Sequence, residues 1–314
     1  MNALIIGGAG FVGHHLIECL QGVGWEVCAT CLPTEKINTT VHTERLDISD
    51  AKAISRIIAK IKPQIIFHLA AQSSVALSWQ QPQFTVEVNV IGTLNLLEAL
   101  KKIKDPPKLL LIGSSEEYGR ALDGSPTVES TSLAPTNVYA VTKVAQGMLG
   151  QVYARAFGLN IITTRSFNHI GPGQHESFVV SSFCKQIATI EAGHLPPILR
   201  VGNLNVSRDM VDVRDVVFAY KLLAENGVTG ETYNVGAGST ICLNDLLNQL
   251  LKMTNIPIEV VQDPNKIRPA DVEIIIANVE KLRQATDWVP RYTLLQTLRD
   301  VLNYWRSRIE KEIQ

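Results

Sequence analysis

The chain has 314 residues, 46% of them hydrophobic, and its 29 basic residues are almost matched by 30 acidic ones. That length exceeds what one hydrophobic core usually serves, so one large or two closely packed domains are expected. The balanced charge leaves no electrostatic footprint for nucleic acid or an anionic membrane, and any anionic ligand must be held by local groups.

No run reaches the roughly 18 apolar residues that a spanning helix requires. Met1 leads directly into Ala3-Leu4-Ile5-Ile6 with no basic segment and no small-residue cleavage site, so no signal peptide is expected and the chain reads as cytoplasmic. Cys19, Cys28, Cys31, Cys184 and Cys242 are scattered and odd in number. The Cys28-x-x-Cys31 spacing lacks the second pair or histidines of a zinc site, so free thiols and no metal are expected.

In chain order, Ala3 to Ile6 is a short apolar strand running into Gly7-Gly8-Ala9-Gly10-Phe11-Val12-Gly13 and then an amphipathic helix. Glycines 7, 10 and 13 suit a tight turn, close approach to a pyrophosphate and close helix packing, with the phosphates on the helix N-terminus. A second strand, Trp25 to Cys31, ends without the acidic residue that marks NAD enzymes or the basic one that marks NADP enzymes, so the choice between them is open. A third strand ends at Arg45-Leu46-Asp47-Ile48; Asp47 suits either the adenine amine or a cap for the next helix, Ala51 to Ile61. Gln64 to Gln72 reads as a strand covered on both faces, with Ala70 and Ala71 small enough to leave room for a nicotinamide ribose.

A helix over 84–100 carries Asn89 in apolar surroundings. It precedes a buried strand, 108–112, that delivers Gly113-Ser114-Ser115-Glu116-Glu117-Tyr118-Gly119. This strand and helix alternation predicts an α/β fold, an open doubly wound parallel sheet whose ligands lie beyond the carboxyl strand ends. The next helix contains Asn137-Val138-Tyr139-Ala140-Val141-Thr142-Lys143. Tyr139 and Lys143 are four residues apart on one helix face, where a nearby ammonium would lower the phenol's pKa and suit it to proton transfer. The strand 160–165 then delivers Ser166-Phe167-Asn168-His169-Ile170-Gly171-Pro172-Gly173. Gly230 to Val235 is expected to return to the main sheet, and helices at 243–253 and 294–309 to form a smaller lobe.

The glycine fingerprint, the Ser114 turn and Tyr139-x-x-x-Lys143, in this order and spacing, resemble the extended short-chain dehydrogenase/reductases over essentially the whole chain. The stretches 112–119, 167–174, Val201-Gly202-Asn203-Leu204 with Arg208-Asp209, and Arg268-Pro269-Ala270-Asp271-Val272 are similar to the GDP-mannose 4,6-dehydratase group of that family. The resemblance implies a Rossmann-type domain over 1–166 and 210–238 and a smaller α/β nucleotide-sugar lobe over 167–209 and 239–314. It implies dimerisation through the helices over 84–100 and at Tyr139. The implied cofactor is reduced NADP or NAD, contacted by Gly7, Gly10, Phe11, Val12, Gly13, Asp47, Ile48, Leu69, Ala70, Ala71, Asn89, Tyr139 and Lys143. Ser114, Tyr139 and Lys143 form the implied catalytic set, with Glu116 beside them. Ser73, Ser114, Ser115, Glu116, Asn168, Arg208, Arg268 and Asp271 would meet a GDP-linked sugar. The family usually has Glu where this chain has Asp271, which shortens the reach to the ribose.

The activity so implied is reduction of the C4 keto group of a GDP-4-keto-6-deoxymannose-type sugar to GDP-D-rhamnose or a close relative. The main rival is 4,6-dehydration with Glu116 removing the C5 proton; epimerisation at C4 is a separate alternative that ranks behind both. His169-Ile170-Gly171-Pro172-Gly173 departs from the dehydratases' His-Glu-Ser-Pro-Arg and the chain is shorter than theirs, which favours reduction. A non-catalytic cofactor-sensing module is disfavoured by the intact Ser114, Tyr139 and Lys143.

Overall fold

The computed structural model describes residues 1–35, 37, 39–119, 124–266 and 273–313. In chain order the elements are β1 (Asn2–Ile6), α1 (Phe11–Gly22), β2 (Glu26–Cys31), β3 (His42–Arg45), α2 (Ala51–Ile61), β4 (Ile65–His68), α3 (Val75–Gln80), α4 (Pro82–Val86), a π-helical turn (Glu87–Ile91) and α5 (Gly92–Lys101). There follow β5 (Lys108–Ser114), α6 (Val138–Phe157), β6 (Ile161–Ser166), β7 (Asn168–Ile170), α7 (Val179–Glu191), β8 (Ile198–Val201), β9 (Ser207–Asp212), α8 (Val213–Asn226) and β10 (Thr232–Val235). The chain ends with β11 (Thr240–Cys242), α9 (Leu243–Leu251), β12 (Glu259–Gln262), β13 (Ile274–Ile275), α10 (Glu280–Thr286) and α11 (Leu294–Ile313).

The main sheet has seven strands in the order β10-β6-β5-β4-β1-β2-β3, all pairs parallel. Apolar runs such as Ala3 to Ile6 make this possible, because alternate side chains are buried on opposite faces. Ala3 and Ile5 pack with Leu16, Ile17, Leu20, Val216, Tyr220 and Trp288. Leu4 and Ile6 pack with Ile54, Ile57, Leu96, Leu97 and Tyr153 on the other face. The expected doubly wound α/β sheet is therefore present, and 232–235 does return to its edge.

A third core lies outside this sheet, where α7, α9 and α11 pack around Phe183, Ile187, Leu246, Leu250, Leu302 and Trp305. Beside it β9 pairs with β7, β11 and β13, and β8 with β12. Two expectations are corrected. Residues 277–288 do not join the third core: Ala277, Val279, Leu282 and Trp288 are buried against the main sheet's helices, and the Trp288 indole nitrogen donates to the Asp215 carbonyl at 3.0 Å. The helix expected over 84–100 is interrupted by the π-turn that contains Asn89, a one-residue widening of the helix that the apolar spacing of the segment does not announce.

Candidate active site

The site is built where β1, β2, β4, β5 and β6 end. Gly7 leaves β1 at φ 89°, a conformation open to glycine, and a Cβ on it would lie 2.7 Å from the Ala70 backbone nitrogen. A Cβ on Gly13 would fall 2.5 Å from the Gly8 carbonyl oxygen, so α1 closes directly onto the turn. The turn is tied to β2 because Gly8 N donates to the Thr30 carbonyl at 2.8 Å and Gly7 N to Thr30 Oγ1 at 3.2 Å. Gly10 caps α1 without a side chain, which leaves the first-turn amides of Phe11 and Val12 available to an anion. Phe11, Val12, Leu69, Ala70 and Ala71 are all partly exposed along this edge. A tight turn with no room for a Cβ at Gly7 or Gly13, ending in an open helix N-terminus, fits the pyrophosphate of a dinucleotide.

Three expected cofactor contacts have other partners. Asp47 is exposed and its Oδ1 accepts from Ser49 N at 2.9 Å and Ser49 Oγ at 2.8 Å; the cap of α2 is Asp50. Ile48 is buried, and a Cβ on Gly92 would strike its Cγ2 at 2.6 Å, so this side chain belongs to the core. Asn89 is fully buried. Its Oδ1 accepts from Gln72 N at 2.8 Å, while its Nδ2 donates to the Gln72 carbonyl at 3.0 Å and to Thr142 Oγ1 at 2.9 Å. With both amide hydrogens committed, Asn89 locks the end of β4 to α6 rather than offering donors to a ligand. Below it Thr93 Oγ1 donates to the Asn89 carbonyl at 2.7 Å and lies 3.0 Å from His68 Nε2. Burial pushes His68 down to about 3, with the Lys143 charge acting the same way, so the imidazole is neutral.

The catalytic candidates converge around the end of β5. Asn137 caps α6, its Oδ1 accepting from Ala140 N at 2.8 Å, and its Nδ2 donates to Glu116 Oε2 at 2.9 Å. One residue thus starts the helix and fixes Glu116. Tyr139 is partly exposed on the first turn. Its phenol is raised well above the usual range, chiefly by burial and secondarily by the Glu117 and Glu116 charges, while hydrogen bonding by Ser114 pulls it down. The expectation that Lys143 lowers this pKa is not met here. Lys143 Nζ lies 6.0 Å from the Tyr139 ring centroid and donates instead to the Ile112 carbonyl at 2.8 Å and Gln146 Oε1 at 3.0 Å. Burial pushes Lys143 down to about 8, and Glu117 opposes the shift.

Sequence reading missed several of these supports. Glu117 is buried, accepts from Ser114 N at 2.8 Å, and pairs with Arg165 Nε at 3.0 Å; Ser114 and Glu117 form a capping box, a pattern that the spacing alone offered. Gln146, three residues beyond Lys143, had only its helical spacing to announce it. Thr30 had no local signal.

On the substrate side, Asn168 is exposed on β7, Ser73 is exposed, Ser115 is buried and Arg208 is half-buried on β9. Arg208 Nη1 donates to the Ser207 carbonyl at 3.0 Å. Arg268 and Asp271 lie outside the described residues. Next to Arg208, the buried Asp209 accepts from Ala237 N at 2.6 Å, Gly238 N at 3.0 Å and Ala277 N at 3.1 Å, joining segments distant in sequence. His169 stacks on Phe11 with ring centroids 6.0 Å apart, and His15 Nε2 lies 2.9 Å from the Pro172 carbonyl. The loop after β6 is thereby seated on the start of α1. Among the described residues no cluster of His, Cys, Asp or Glu could hold a metal ion.

The family model described as GDP-mannose 4,6 dehydratase matches residues 4–301. The chain belongs to this family. Within the GDP-mannose 4,6 dehydratase family, it is 34% identical over 309 residues to the GDP-6-deoxy-D-mannose reductase of Pseudomonas aeruginosa, covering 98% of each protein. It is 26% identical over 340 residues to a GDP-mannose 4,6-dehydratase of Vibrio cholerae, covering 93% of this chain and 90% of that protein. The solved structure of RMD from Pseudomonas aeruginosa complexed with NADPH superposes with a TM-score of 0.88 at 34% identity, over 98% of this chain and 100% of that one.

Proposed function

We propose that this protein reduces the 4-keto group of GDP-4-keto-6-deoxymannose, consuming NADPH or NADH and forming GDP-D-rhamnose. The observation that carries this reading is the junction of Ser114, Tyr139 and Lys143 at the end of β5, beside the glycine cradle. Full-length similarity to a GDP-6-deoxy-D-mannose reductase supports it. The glycine turn, Leu69 to Ala71 and Lys143 would hold the cofactor, which when bound supplies the hydride. A phenol kept protonated by burial is the right form for the proton donor to an alkoxide developing at C4. The Ser114 hydroxyl would donate to the same oxygen, stabilising charge that exists only in the transition state. Lys143, held between the Ile112 carbonyl and Gln146, is a cation beneath the proton donor.

The third core and the strands around β9 would form the nucleotide-sugar lobe, with Asn168 and Arg208 at its inner edge and Arg268 and Asp271 completing the diphosphate and ribose contacts. Anchoring the diphosphate away from C4 would hold the reacting carbon in register. We place the enzyme in the cytoplasm, where nucleotide sugars and reduced nicotinamides are kept, and read it as a homodimer through the exposed apolar faces of α4, the π-turn and α6.

A second reading, 4,6-dehydration, draws support from Glu116, whose carboxylate is aimed by Asn137 beside Tyr139. Two incubations separate them. Enzymatically made GDP-4-keto-6-deoxymannose with NADPH should give a 4-hydroxy product by NMR, with stoichiometric loss of absorbance at 340 nm. GDP-mannose without added reduced cofactor should be returned unchanged; loss of water from it would establish the dehydratase.

A further inference from the structure

The end of β2 lacks a charged residue to choose between NADH and NADPH, but β3 supplies one in space. Arg45 is the last residue of β3 and pairs in register with Cys31, the last residue of β2. Its Nη1 donates to the Leu32 carbonyl at 3.0 Å, to Cys31 Sγ at 3.0 Å and to the Glu35 carbonyl. The guanidinium is therefore folded over the β2 terminus and pinned by backbone acceptors through one nitrogen. Its other N–H groups have no partner among the described residues, and the residue is exposed.

The position is continuous with the phosphate cradle, since the glycine turn is bonded to Thr30 and Thr30 precedes Cys31. In a doubly wound fold of this kind, the end of β2 is where the adenosine ribose lies, and an acid there takes its 2′-hydroxyl whereas an arginine takes a 2′-phosphate. The acid in the neighbourhood, Glu35, turns Oε2 onto Leu32 N at 2.9 Å, serving its own loop. What remains facing outward is a guanidinium held in a fixed fork, the geometry suited to two oxygens of a phosphate.

We propose that Arg45 grips the 2′-phosphate of NADPH and sets the enzyme's preference for it over NADH. This rests on the cofactor-dependent reading above, but binding of adenosine fragments tests it without any sugar chemistry. Titration calorimetry would use adenosine 2′,5′-bisphosphate and 5′-AMP as probes on the wild type, Arg45→Met and Arg45→Lys. The wild type should bind the bisphosphate at least about tenfold more tightly than AMP, as a charge-assisted contact implies. Arg45→Met should erase that ratio while leaving AMP affinity within about twofold, and Arg45→Lys should keep part of it because the charge persists without the fork.

Equal weakening of both ligands in Arg45→Met would show that Arg45 merely staples residues 32–35, overturning the proposal. So would a wild type indifferent to the 2′-phosphate, or a variant that keeps the full preference. Should the preference behave as expected while no GDP-4-keto sugar is reduced, the substrate reading fails and the assignment of Arg45 stands.

Discussion

At the scale of single residues, the chemistry turns on how Tyr139 and Lys143 are held. A phenol raised by burial stays protonated across the working range, so removing its hydroxyl removes the proton donor. Tyr139→Phe should lower kcat by about 100-fold or more, the scale of general acid catalysis, while calorimetric affinity for NADPH changes little. Lys143, pushed down to about 8, should lose its ammonium as pH rises through that value, so kcat should fall on the alkaline side. Gln146 accepts from that ammonium and stabilises its charged form. Gln146→Met should therefore move the alkaline limb to lower pH, with the acidic limb unmoved; a uniform drop at every pH would assign Gln146 to packing alone. The pair itself was legible in the sequence because both members lie in one helical turn. Thr30 was not, because it acts through Gly7 and Gly8, which folding brings to it; Gln146 and Asn137 have one partner close in sequence, but their second partners, the Ile112 carbonyl and Glu116, come from β5 and the turn after it.

At the scale of elements, the parallel strands and α2 followed from apolar runs that are local properties, whereas the π-turn at Asn89 and the seating of 277–288 on the main sheet are decided by tertiary packing. Asp209 shows the same limit: it follows Arg208 in β9, yet its carboxylate binds amides from the loop after β10 and from Ala277. Burial raises it from 3.8 to about 6 against the pull of those amides. The native state therefore holds a proton that the unfolded chain releases between these values. Through this group, stability declines as pH rises from about 4 to about 6. Asp209→Asn cannot titrate and presents one carbonyl oxygen to amides that now use two. Urea midpoints should show it destabilised by about 1–3 kcal/mol, with the wild-type to variant difference shrinking as pH rises over that interval. A difference constant with pH would mean that Asp209 is ionised throughout.

At the scale of the whole molecule, the helix that carries the catalytic pair also carries an uncovered apolar stripe. On α6, Val141 is 52%, Met148 59% and Val152 55% exposed, and their spacing of seven and four residues puts them on one helix face. Phe84 and Ile91, on the neighbouring α4 and π-turn, are 46% and 44% exposed. Fully burying such a side chain yields about 1.5–3 kcal/mol; these are already near half buried, so covering them with a second copy yields about half of that each, a contribution set against the cost of association. A carboxylate in the middle of that face would have to be desolvated without a partner. If the proposed homodimer forms through this face, the wild type should sediment as a dimer and Met148→Asp, at the same concentration, as a monomer. Because Tyr139 and Lys143 sit on the same helix, at the end opposite Phe157, the monomer should retain NADPH binding while its thermal midpoint becomes insensitive to protein concentration. A Met148→Asp protein that still sediments as a dimer would move the interface elsewhere and leave the apolar stripe of α6 for another partner.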